Sequence, residues 1–76
     1  MDSLLLDLKQ VIDTCDFEKC EDDIYVYIME LIKEEYYKDN IDWEQRLALT
    51  HILDDLSITL KDAIFKMIEY IGEEND

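Results

Sequence analysis

The chain has 76 residues, with 21 Asp and Glu against 7 Lys and Arg, for a formal net charge of -14. That lies well beyond the magnitude of roughly 2–8 that keeps a small domain soluble, and it excludes a surface that binds nucleic acid or anionic lipid by charge. Hydrophobic residues make up 49%, too many for a disordered acidic tail, while one Gly and no Pro leave too few turn residues for a small sheet protein.

Apolar spacing predicts an all-α fold: a single acidic domain over residues 1–76, built as a small bundle of four helices with short polar links. The first helix is predicted over about 3–15. Leu4, Leu5, Leu8, Val11, Ile12 and Cys15 follow one helical face, and Leu6 lies opposite. Asp2 or Ser3 is placed to cap its start. Residues 16–23, Asp-Phe-Glu-Lys-Cys-Glu-Asp-Asp, form an acidic link.

The second helix is predicted over about 21–38. Ile24, Tyr27, Ile28 and Leu31 define its main face. Tyr25, Met29, Ile32 and Tyr36 add a neighbouring stripe, and Val26 and Tyr37 fall on the polar side. So much apolar surface reads as a central helix touching several neighbours; the alternative reading is that part of it, especially Tyr36 and Tyr37, meets a partner.

The third helix is predicted over about 43–56. Asp42 and Gln45 have the spacing of a capping box. Leu49, Ile52, Leu53 and Leu56 share one side, and Trp43 and Leu47 another, so this helix is expected to face two neighbours. The fourth is predicted over about 60–71, with Thr59 and Asp62 as a second capping box. Leu60, Ala63, Ile64, Met67, Ile68 and Ile71 form its core stripe. Gly72 is expected to end it as a C-terminal cap, leaving residues 73–76 as a tail.

No run of about 18 apolar residues is present to span a membrane. Leu4, Leu5 and Leu6 sit between Asp2 and Asp7 and lack the basic start of a signal peptide. The expected localisation is cytoplasmic, with Cys15 and Cys20 as reduced thiols. The chemistry-bearing residues are sparse. His51 is the single histidine, and Cys15 lies on a core stripe. Two cysteines and one histidine fall short of a structural zinc set, and residues 16–23 lack the glycine of a calcium loop. No catalytic set, metal or cofactor is expected, and the chain reads as non-enzymatic.

The acids divide into two groups. Glu21, Asp22, Asp23, Asp42, Glu44 and Asp62 sit near helix starts, where the dipole favours them. Glu35, Asp39, Asp54 and Asp55 sit at helix ends, where it opposes them, and Glu73, Glu74 and Asp76 follow the fourth helix. Placements that oppose folding imply a gain elsewhere, and binding to a basic surface would supply it; a genomic codon bias toward Glu and Asp is the rival explanation.

Acyl carrier proteins are acidic helical domains of this length with a modified Ser in an Asp-Ser-Leu that opens an internal helix. Asp2-Ser3-Leu4 has those letters at the wrong end of the chain, and Ser57 lies between Leu56 and Ile58, so that family is set aside. In general character the chain resembles nuclease immunity proteins and phage-encoded DNA mimics, which are small, acidic, helical and rich in Tyr. Glu34-Glu35-Tyr36-Tyr37 is similar to the acid-plus-Tyr-Tyr patch of the immunity proteins, and the surrounding residues do not match.

The expected function is that of a small acidic inhibitor that occupies a basic, nucleic-acid-binding surface of another protein, of the anti-CRISPR, immunity or repressor-antagonist type. Its partner is a basic protein such as a nuclease. The chain itself is a monomer or homodimer that binds neither nucleic acid nor membrane. The expected contact residues are Glu30, Glu34, Glu35, Tyr36, Tyr37, Asp39, Asp42 and Glu44. The alternative is an acidic adaptor or secretion-type chaperone that holds a partner helix in an apolar groove.

Overall fold

The structure is a computed structural model that describes residues 2–74. Four helices follow in order: α1 (Asp2–Thr14), α2 (Glu21–Tyr37), α3 (Trp43–Leu53) and α4 (Leu60–Glu74). The described residues contain no strand. Helices adjacent in the chain pack on one another, and α1 packs on α4 at least as closely as on α2, which closes the ring. The radius of gyration is 11.5 Å, close to the roughly 11 Å of a close-packed chain this long.

The core is drawn from all four helices. Leu4 and Leu8 of α1, Ile28 and Ile32 of α2, Leu49 of α3, and Ile64, Met67 and Ile71 of α4 are fully buried. Burying a side chain of this size contributes roughly 1.5–3 kcal/mol. Leu6 points away from the core, as its position opposite the stripe requires.

Local chemistry sets the helix starts. Asp16 Oδ1 accepts the amides of Glu18 at 3.0 Å and Lys19 at 3.3 Å, which folds the link into a turn. Cys20 then precedes α2 with no side-chain cap, and Glu21, Asp22 and Asp23 supply negative charge to its first turn instead. Asp42 and Gln45 form both bonds of the capping box, at 2.8 and 2.9 Å. At α4 only half of the second box is made, with Thr59 Oγ1 accepting the Asp62 amide at 3.2 Å.

Four sequence expectations need correction. The buried face of α2 is Ile24, Ile28, Ile32 and Glu35, and Tyr27 is exposed. With packing chiefly on α1 and α3, α2 is no more central than its neighbours, so its buried strip is narrow. α3 ends at Leu53, three residues early, and Leu56 is 100% exposed in the turn beyond it. Leu56 keeps the helical spacing from Leu49 and Leu53, but that spacing has no meaning once the helix has stopped. Gly72 does not cap α4, which continues to Glu74. Its φ is not positive, so the conformation that calls for glycine is absent. Glu73 and Glu74 therefore belong to the helix, while Asn75 and Asp76 lie outside the described residues.

Candidate functional site

The corner between α2 and α3 gathers most of the residues singled out by sequence. It is built by a Schellman turn. Lys38 caps α2, the Asp39 amide donates to the Tyr36 carbonyl at 3.1 Å, and the Asn40 amide donates to the Glu35 carbonyl at 2.9 Å. Asp39 occupies the left-handed region with φ 61°. Asp and Asn are the non-glycine residues that tolerate that conformation. Its place at the helix end therefore has a backbone reason independent of any partner. Ile41 then turns inward and is buried, anchoring the corner to the core.

The turn brings the end of α2 against the start of α3. The rings of Tyr36 and Trp43 meet edge-on at 5.8 Å, and Tyr36 meets Tyr37 at the same separation. Such pairs contribute roughly 0.5–1.5 kcal/mol beyond the area they bury. The Arg46 guanidinium carbon lies 4.8 Å from the Tyr36 centroid, 5.6 Å from Trp43 and 5.9 Å from Tyr37. Each is within cation–π range. Tyr36 is half-buried and ties the cluster to the core. Tyr37 is 67% exposed and Trp43 55% exposed.

A shallow open cleft of about 580 Å³ lies at this corner. Tyr37, Trp43, Asp39 and Asp42 are among its walls. Glu30, Glu34 and Glu44 are exposed on the adjoining turns of α2 and α3.

Glu35 does not belong to this surface. It is only 6% exposed and accepts a hydrogen bond from Ser3 Oγ at 3.0 Å through Oε1. Its Oε2 is buried with no hydrogen-bond partner among the described residues. The helical phase explains this. Glu35 stands at i+11 from Ile24, i+7 from Ile28 and i+3 from Ile32, in the middle of the buried stripe. That signal was present in the sequence, and the neighbouring Glu34, Tyr36 and Tyr37 obscured it. Trp43 and Arg46 are the cluster members that the contact set omitted. Their i, i+3 spacing puts them on one side of α3, but nothing in the sequence set that side against Tyr36.

Two other end-of-helix acids are also used inside the fold. Asp54 caps α3 and accepts the Tyr25 hydroxyl from α2. That bond, with smaller contributions from burial and the Asp54 charge, raises the Tyr25 pKa above its ordinary 10.0. Asp55 Oδ1 accepts the Ser57 amide at 2.9 Å and the Ser57 hydroxyl at 2.6 Å. Those two bonds hold the Asp55 carboxyl below its ordinary 3.8.

Among the described residues no group of His, Cys, Asp or Glu is arranged to hold a metal ion, and no helix is long and apolar enough to cross a membrane. Comparison of the chain with protein-family models, curated proteins and solved structures found no match.

Proposed function

We propose that this protein is a small acidic, non-enzymatic inhibitor that occupies a basic, nucleic-acid-binding surface of another protein. The observation that carries the reading is the α2–α3 corner. Tyr37 and Trp43 are more than half exposed beside carboxylates, on a chain of net charge -14. Large aromatics with a polar atom are favoured interface anchors, because they give contact area at low entropic cost. The charge steers encounter with a basic partner, and the rings hold it once docked. Glu30, Glu34, Tyr36, Tyr37, Asp39, Asp42 and Glu44 remain the contact set, with Trp43 added and Glu35 removed.

A second reading, the adaptor that takes a partner helix, draws on a different surface. Ile12, Phe65 and Ile68 line an apolar cleft of about 280 Å³ between α1 and α4, and Phe65 is exposed. Salt separates the two readings, since exposed charges are screened and apolar contacts are not. Capture of the partner from host lysate is repeated from about 0.05 M to about 0.5 M salt. A charge-led inhibitor loses its partner steeply over that range and releases nucleic acid from it at low salt. Retention at high salt with no effect on nucleic acid would favour the adaptor. Within the inhibitor reading, Tyr37→Ala is expected to lower partner affinity by about 2 kcal/mol with little change in melting temperature. Normal partner binding by this variant removes Tyr37 from the site.

A further inference from the structure

We infer that the cleft at the α2–α3 corner is a receptor for an arginine side chain presented by the partner protein. The inference rests on the inhibitor reading and narrows it to a chemical group. Tyr37 and Trp43 offer aromatic walls, and Asp39 and Asp42 offer carboxylates in the same cleft. The main chain is fixed at both acids, and at Asp42 the side chain as well. Asp39 is set by the two Schellman bonds, and Asp42 by the capping box, in which its Oδ1 takes the Gln45 amide.

The molecule already shows what these rings accept. The guanidinium of Arg46 sits within 6 Å of all three aromatic centroids, at 4.8, 5.6 and 5.9 Å. Arg46 does not line the cleft, so the cleft stays open to a second cation. Arginine fits better than lysine. Its guanidinium is planar and weakly hydrated, stacks on rings, and pairs with a carboxylate through two parallel hydrogen bonds. A lysine ammonium is compact and strongly hydrated, and surrenders more on leaving water. A phosphate is repelled by the two carboxylates. A second copy of this chain is also a poor occupant. Arg46 is its single arginine and is engaged at this corner, and each copy carries a charge of -14.

Trp43 is the sole tryptophan, so its fluorescence reports on this cleft alone. The probes are a short capped arginine-bearing peptide and its lysine counterpart of equal charge, titrated into the full chain. The arginine peptide is expected to perturb Trp43 emission and to bind about fivefold more tightly, the equivalent of a cation–π contact of about 1 kcal/mol. The preference is expected to collapse in Tyr37→Ala and in Asp39→Asn, the latter chosen because Asn also tolerates the left-handed conformation. Asp13→Asn, the same charge change on exposed α1 surface, is expected to leave it intact. Equal binding of the two peptides overturns the receptor while leaving charge-led inhibition to the salt and displacement test. Loss of the preference in Asp13→Asn also overturns it, because net charge then explains the effect. Absence of binding by both peptides overturns the receptor outright.

Discussion

Helices α2 and α3 both end on acids, against the sign of the helix dipole, and the two ends use them differently. At the end of α3 both acids are used within the molecule, Asp54 across to the Tyr25 hydroxyl of α2 and Asp55 locally with Ser57. At the end of α2, Glu35 turns inward to Ser3 of α1, and Asp39 stays exposed in a left-handed conformation. An acid at a helix C-terminus opposes folding by roughly 0.3–1 kcal/mol at low salt, and one intramolecular hydrogen bond to a charged group offsets that. Opposition to the dipole is therefore no evidence for a partner in any of the four cases, since the left-handed backbone accounts for Asp39. The α2 end is distinguished instead by exposed rings beside Asp39 and Asp42, which the α3 end lacks.

The largest expected effect tests whether Glu35 belongs to the interior. Glu35→Lys places an ammonium at a position 6% exposed and removes the acceptor of Ser3. A loss of about 3 kcal/mol or more is expected, a large share of the stability of a domain this small, with Glu35→Gln much milder. A Glu35→Lys variant that melts like the parent would return Glu35 to the surface.

Tyr25→Phe removes the bond from α2 to Asp54 and is expected to cost about 1 kcal/mol. The pH dependence has a definite sign. Because the Tyr25 pKa is raised in the fold, its contribution is complete below pH 10.0 and is lost as pH climbs through the raised value. Denaturant melts on the alkaline side should therefore show a stability drop in the parent that is smaller in Tyr25→Phe. Parallel alkaline profiles would mean the bond adds nothing.

Asp39→Gly removes both a non-glycine residue at φ 61° and an acid at a helix end. Stabilisation by about 0.5–1 kcal/mol is expected. Weaker partner binding by the same variant would separate the backbone role of Asp39 from its carboxylate. A drop in melting temperature would show that the side chain stabilises the turn in a way the backbone does not reveal.

The smallest effect belongs to Ser57→Ala. Asp55 is held below its ordinary value, so its contribution is present above pH 3.8 and fades as pH falls through the lowered value. The variant should lose a little stability at neutral pH and show a flatter acid limb. An unchanged acid limb would place the acid sensitivity of the bundle in other carboxylates.

What could be read from the chain, and what could not, follows the range of the forces involved. The four helices, the capping box at Asp42, the core stripes of α1 and α4 and the exposure of Tyr37 all rest on periodicity and short-range hydrogen bonds. Neighbouring residues determine these, so the sequence alone decided them. The end of α3 at Leu53, and with it the exposure of Leu56, depended on where the chain had to turn to bring α4 onto α1. The pairing of Tyr25 with Asp54, of Ser3 with Glu35, and of Tyr36 with Trp43 and Arg46 joins different helices. No local rule selects among the many acids and rings available for such contacts. Only the packing of the bundle did, because burying the apolar stripes sets the angle and depth at which the polar side chains between them must meet.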